Sequence, residues 1–259
     1  MALPLPPGLV PAEVAFLCEM ELVTIVPRQR LESIDLLSVS PSNVPPTCHS
    51  VLQGATPALR PPARADLPMW LALLLKKQRR ANIVPPPWLH PQSLAKIVHH
   101  ETKVEPDAFS PPPPPPARGD ALGNARRYGE ETLSAPFLPS CTADAPSNAL
   151  PYHWFELAEM LLAHAIDDIP APSEVRSLLR DLQEVRSAKL RKSTEELSEV
   201  AGVMSLRGVG AMELAESRGF FLGVIEGVRK IGASAEASRR EEEEERGEGV
   251  DYDEDEDML

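Results

Sequence analysis

The sequence predicts an α+β protein, mostly α: a small N-terminal β-rich domain over 1–65, then a larger α-helical domain over 66–235. Three observations predict it. Leu22-Val-Thr-Ile-Val26 is a β-branched run closed by Pro27. From Asp66 onward, and again through the C-terminal half, apolar residues recur at intervals of three and four. The 29 prolines are clustered: four in the first 11 residues, seven from Pro41 to Pro68, eleven from Pro106 to Pro151 and none in the 87 residues after Pro172. Stretches that fold therefore alternate with stretches that cannot.

In chain order, Ala12 to Met20 suits a short helix, Leu22 to Val26 a buried strand, and Leu31 to Val39 a second strand. Two short strands are marginal alone, so this module must lean on something else. Residues 40–65 read as a long loop or insertion at the domain's edge. Asp66 can cap a helix with Pro68 in its first turn and Met69, Trp70, Leu73 and Leu74 along it. Lys76, Lys77, Arg79 and Arg80 mark its end, where positive charge complements the helix dipole. Ile83 to Leu89 is extended by its prolines, and a helix follows from Pro91 to Lys103. Residues 106–149, with six consecutive prolines at 111–116, bury too little apolar surface to offset their ordering entropy and read as a disordered insertion.

Tyr152, Phe155, Ala158, Leu162 and Ala165 line the next helix; Val175, Leu178, Leu179, Leu182 and Val185 line another, with Pro172 in its first turn. Ser193 and Glu196 have capping-box spacing, which predicts a separate helix carrying Leu197, Val200, Ala201 and Met204 inward. Gly208 and Gly210 break it, and a last helix places Leu214, Phe221, Val224, Ile225 and Val228 on one side, ending near Gly232. Residues 236–259 hold 13 acids against three bases and read as a disordered tail.

The 259 residues and 28.3 kDa suffice for a hydrophobic core. A net charge of -13 excludes a strongly basic nucleic-acid binder as the overall character. Cys18, Cys48 and Cys141 are odd in number and too far apart for a disulfide framework or a structural zinc site. The N-terminus has no basic region of a signal peptide, and no window reaches the ~18 apolar residues of a membrane span, so the chain reads as soluble and intracellular.

Neither G-x-x-x-x-G-K-[ST] nor G-x-G-x-x-G occurs, which disfavours an ATPase of the usual kind, and G-x-S-x-G is absent. In His99-His100-Glu101, consecutive helical residues point about 100° apart, so a solvated helix face is favoured over a metal site. No catalytic residue, cofactor or small-molecule substrate is indicated. Lys76 to Arg80 reads either as a helix terminus or as a nuclear-import or phosphate-contacting patch, and the hexaproline either as a spacer or as a ligand for a proline-recognition domain. The helix around Trp70 is apolar nearly all round and must be covered on more than one side, by other subunits or by the chain itself.

Leu67-Pro-Met-Trp-Leu-Ala72, Leu75-Lys-Lys-Gln-Arg-Arg80 and Ile83-Val-Pro-Pro-Pro-Trp-Leu89 resemble the "PxWLA, LKxR, PPxWL" segment of the second Partner-of-Sld-Five subunit family of the GINS complex. Pro151-Tyr-His-Trp-Phe-Glu156, Leu161 to Pro170, Val175 to Leu182 and Arg186 to Arg191 resemble its central helices, and Glu19 to Pro27 its opening strand. The similarity covers 12–39, 66–105 and 150 to about 231. It implies a β-rich domain before a larger helical one and a non-catalytic scaffold role in a nuclear heterotetramer with three sister subunits. That tetramer joins the MCM ring and a further activator as the replicative helicase, with ATP hydrolysed by the ring and any association with DNA indirect. Trp70, Leu74, Trp88, Tyr152, Trp154, Phe155 and Leu162 become candidates for packing inside the helical domain or across its seams. Arg176, Arg180, Asp181, Arg186, Lys189 and Arg191 become candidates for polar contacts at those seams or for an ordinary solvated face. Two rival functions are an adaptor for proline-recognition domains and a nucleic-acid-binding module using Lys76 to Arg80.

Overall fold

The computed structural model describes residues 8–35, 55–56, 58–113, 118–119, 125–126, 139–197 and 206–248. Helix α1 (Pro11–Cys18) begins with proline at its first position, where no intrahelical amide bond is lost, and Val10 N donates to Glu13 Oε2 at 2.8 Å. Strand β1 (Leu22–Pro27) follows and is buried almost throughout, as its β-branched run predicts.

The second strand expected over Leu31 to Val39 is only partly realised. Leu31 makes a lone bridge to Leu59, and β2 (Ile34–Asp35) pairs with β3 (Ala55–Thr56); residues 36–39 and most of the 40–65 loop lie outside the described residues. The true partners of β1 are β4 (Ala65–Pro68) and β5 (Ala81–Ile83), both antiparallel, in the order β4-β1-β5.

Asp66 therefore does not cap a helix. It sits opposite Thr24 in the ladder, and its carboxylate accepts the Thr24 hydroxyl at 2.6 Å. Helix α2 (Met69–Lys77) starts later, with Pro68 before it; its first two amides donate to the carbonyls of Glu21 at 2.8 Å and Glu19 at 3.1 Å. Those tertiary acceptors replace a side-chain cap.

After β5 the prolines keep the chain extended into a short turn at Pro87–Leu89, which buries Trp88 and Leu89. Helix α3 (Pro91–His99) widens into a looser turn at His100–Val104, where Glu105 N reaches back to His100 O at 2.9 Å. Helix α4 (Trp154–His164) packs inward through Trp154, Leu157, Ala158, Leu161 and Leu162. Helix α5 (Pro172–Leu197) begins at the expected proline but runs through Ser193, whose hydroxyl donates to Leu190 O at 2.9 Å. The capping-box spacing thus lies inside one continuous helix. Helix α6 (Ala211–Glu248) likewise passes Gly232 and carries the Glu241 to Glu245 run, with the pairs Glu226–Lys230 and Arg239–Glu243 one turn apart on its exposed side.

One hydrophobic cluster spans the sheet (Val23, Ile25, Leu67, Ile83), α2 (Leu71, Ala72, Leu75) and the bundle (Trp88, Trp154, Leu157, Val175, Leu182), so the small sheet leans on the helices. Cys141 and Ala145, within the composition-defined insertion, belong to this core, because residues 139–150 close over β1. A smaller cluster joins Leu190 of α5, Val209 just before α6, and Phe221 of α6.

Polar contacts fasten the sheet to the bundle. Lys76, buried at the end of α2, bonds Asp167 at 2.7 Å and Asp168 at 2.8 Å just past α4. Asp168 also accepts Ile83 N of β5 at 2.7 Å. On the central strand, Ala143 N donates to the Thr24 hydroxyl at 2.9 Å.

Candidate functional site

The largest group of buried charges lies where α3, α5 and α6 meet. Arg186 on α5 is fully enclosed and donates from Nη1 to Glu101 Oε1 at 2.7 Å, from Nε to Glu213 Oε1 at 2.6 Å and from Nη2 to Glu213 Oε2 at 2.9 Å. A fourth bond from Nη2 reaches Gly208 O at 2.6 Å. The guanidinium also lies over the Phe109 ring at 4.8 Å and over the Trp154 indole at 5.7 Å. Lys189, one turn on, bonds Ala108 O at 2.6 Å and sits 3.4 Å from Glu101 Oε2. Residues 105–110 are thereby strapped across α5.

Each charge answers another. Burial alone would raise the Glu101 carboxyl, but Arg186, the Ser110 amide and Lys189 outweigh it and hold the group below its usual range. Burial likewise works against the charge on Arg186, and Glu213 and Glu101 overcome it. Glu213 Oε2 also accepts Gly210 N at 2.7 Å, which fixes the start of α6. Two glycines make the approach possible. Gly208 adopts φ +83, and a Cβ there would fall 2.5 Å from Ser110 O; at Gly210 it would fall 2.7 Å from Trp154 Nε1.

The sequence-derived candidates separate on this geometry. Trp88, Trp154 and Leu162 are core, Trp70 and Phe155 are half-buried against it, and Tyr152 is half-buried before α4. Leu74 alone among the apolar candidates is exposed. Arg186 and Lys189 are buried inside the chain, not displayed on a solvated face. Arg176, Arg180, Asp181 and Arg191 are exposed along α5, with Arg176 also donating to Leu162 O at 3.3 Å. Glu101, read from His99-His100-Glu101 as part of a solvated helix face, is fully buried instead, because the widened turn rotates it inward. Glu213 carries a local signal only for the helix start, through its spacing to Gly210; its Arg186 partner is 27 residues away.

Cys18 and Cys141 are buried free thiols, pushed upward in pKa first by burial and then by neighbouring charges, chiefly Glu156 for Cys18 and Glu21 for Cys141. Both stay protonated and unreactive. Among the described residues no group of three or more His, Cys, Asp or Glu side chains is arranged to hold a metal ion, and no helix is long and apolar enough to cross a membrane.

Two surface features stand out. The first is apolar: Phe16 and Leu17 of α1, which packs on α6, and Phe220, Leu222, Ile225 and Ile231 of α6 all face solvent, with Phe16 at 67% and Ile231 at 69% exposure. Periodicity places Ile225 on the buried side with Phe221; only Phe221 is enclosed. Gly219, Gly223 and Gly227 fall within an arc of about 80° opposite Phe221, and a Cβ added at any of them would meet nothing within 4 Å, so the ridge between Phe220 and Leu222 is smooth and open. The second is cationic: Arg28, Lys76, Lys77, Arg79, His164 and Asp167 line a cleft of about 400 Å³. Arg28 is held there by Asn82, its Nε 2.8 Å from Oδ1. The end of α2 is closed by two backbone bonds, Arg80 N to Leu75 O and Arg79 N to Lys76 O, both 2.9 Å, with Arg79 at φ 58. Glycine usually fills that position, since a side chain there costs about 1–2 kcal/mol.

A three-stranded sheet fixed to a helical bundle that leaves apolar side chains of α1 and α6 in solvent is the architecture of an assembly subunit, and comparison with known proteins gives its class as GINS. Residues 88–232 match the family described as the GINS complex protein helical bundle domain, and residues 10–51 and 46–84 match the PSF2 N-terminal domain. The chain is 69% identical over 242 residues to the DNA replication complex GINS protein PSF2 of Gibberella zeae, covering 92% of this chain and 91% of that one. It is 59% identical over 263 residues to its Neurospora crassa counterpart, covering 93% and 91%, and 32% identical over 221 residues to that of Schizosaccharomyces pombe, covering 85% and 90%. The chain belongs to the PSF2 family, the second Partner-of-Sld-Five subunits, as its helical motifs indicate.

Proposed function

We propose that this chain is a non-catalytic scaffold subunit of a GINS heterotetramer in DNA replication, acting in the nucleus at initiation and at the moving fork. Its direct partners are three sister GINS subunits. The MCM ring and its activator are engaged by the assembled tetramer, and contact with DNA is made through that assembly. The observation that carries this reading is the unpartnered apolar surface of α1 and α6, where Phe220 and Leu222 flank the open glycine ridge and Phe16 and Ile225 are exposed as well. An apolar patch of this kind on one chain marks a protein interface, and a helix of a sister subunit can approach closely where glycines leave the backbone bare. Exposed Arg176, Arg180 and Asp181 of α5 are candidates for polar contacts with sister subunits.

Co-expression with the three sister subunits tests the proposal. A 1:1:1:1 complex is expected on size exclusion with mass analysis, and Phe220→Glu with Ile225→Glu should release this chain from it while leaving the far-ultraviolet circular dichroism unchanged. A stable monomer that ignores the sisters, or a double variant that assembles normally, would refute the assignment of this face.

A further inference from the structure

The cationic cleft between the end of α2 and the end of α4 is not used by the apolar face, and its charges exceed what the helix terminus needs. Lys76 is consumed internally by Asp167 and Asp168, which leaves Arg28, Lys77 and Arg79 exposed around the opening. Arg79 is placed there by a left-handed backbone that glycine would occupy without strain. The chain thus retains a strained arginine where a relaxed residue would close the same helix end. Next to lining residues along the chain are two exposed apolar side chains: Leu74, one turn before Lys77, at 45%, and Ile166, preceding Asp167, at 42%.

We infer that this cleft docks an acidic segment of a partner protein in which carboxylates are interrupted by apolar side chains. Charge complementarity selects carboxylates, with Lys77, Arg79 and Arg28, the last held by Asn82, all lining the cleft. Leu74 and Ile166 select a peptide over a nucleic acid, because a phosphate backbone has no use for aliphatic neighbours and the lining holds no Phe, Tyr or Trp among the described residues. Asp167 inside the cleft, and the net charge of -13 on the chain, also oppose a polyanion as extended as a nucleic acid.

The test uses the full-length chain and a dye-labelled peptide of glutamates and aspartates interrupted by leucines, read by fluorescence anisotropy at low and moderate salt. Lys77→Glu with Arg79→Glu should weaken binding by about ten-fold or more, and added salt should weaken the wild type. Leu74→Ser should weaken it several-fold with the salt dependence retained. Arg79→Gly separates function from folding: it should raise the melting temperature while lowering affinity, whereas an arginine kept only for structure would leave binding untouched. The inference is overturned if the charge-reversed variant binds as well as wild type, if the glutamine and asparagine version of the peptide binds equally, or if an oligothymidylate displaces the probe at lower concentration than unlabelled peptide. It is also overturned, in favour of the chain's own acidic terminus as occupant, if only a variant ending at Glu248 binds.

Discussion

Replacing Arg186 with methionine would test the buried charge cluster most directly. The substitution keeps much of the side-chain volume and removes the one group that bonds Glu101, Glu213 and the Gly208 carbonyl together. Glu101 is fully enclosed and Glu213 nearly so, so neither carboxylate can recover its lost partner from water. Removing one member of a buried ion pair costs about 3–5 kcal/mol, and here two carboxylates are stranded, so the upper end of that range is expected. Lys189 spares Glu101 part of the cost, since it stays 3.4 Å away. Urea unfolding of the full chain, followed by circular dichroism, would measure the loss. The triple variant Arg186→Met, Glu101→Gln, Glu213→Gln should recover part of it, because no stranded carboxylate then remains and Lys189 keeps its bonds to the Glu105 and Ala108 carbonyls. An Arg186→Met chain within about 1 kcal/mol of wild type would refute the claim that these charges depend on one another.

Three other outcomes follow from the same geometry. Trp88→Ala should cost about 3–5 kcal/mol by chemical denaturation, and half-buried Trp70→Ala less, with equal costs contradicting the burial assignment. Asp168→Ala strands the Ile83 amide and leaves Lys76 with Asp167 alone, and should cost about 1–3 kcal/mol, whereas Asp167→Ala on the exposed side should cost less. Glu101 titrates below its ordinary 4.5 in the folded chain, so its contribution is intact above that value and is lost as the pH falls through the lower folded value. Melts across that acid range should show a decline that Glu101→Gln flattens; an unchanged slope would place the pH sensitivity elsewhere.

The helices are legible because each buries one stripe, and β1 because its branched residues crowd together. β4 is not, since Asp66-Leu-Pro68 reads locally as a helix start. Only the carbonyls of Glu19 and Glu21, distant in sequence, determine that α2 begins at Met69. Ser193 shows the same limit: capping-box spacing carries no information about whether the preceding turn is already helical, and in α5 it is. Arg186 and Lys189 are recognisable as polar residues of note, yet whether they face a partner or the interior depends on Glu101 and Glu213, which reach Arg186 from 85 and 27 residues away. The apolar docking face is hidden for a related reason. Phe221 and Ile225 look equivalent along α6, and only the packing of Leu190 and Val209 on Phe221 decides which of them is covered.

Lys76 and Asp168 make the sheet a bracket bolted to the bundle, because one ammonium and one carboxylate between them seize the end of α2, the edge of β5 and the chain leaving α4. A neighbour that grips either half thereby inherits the angle of the other. A pull on β5 is handed on to the end of α2 and to the chain leaving α4 through those two side chains.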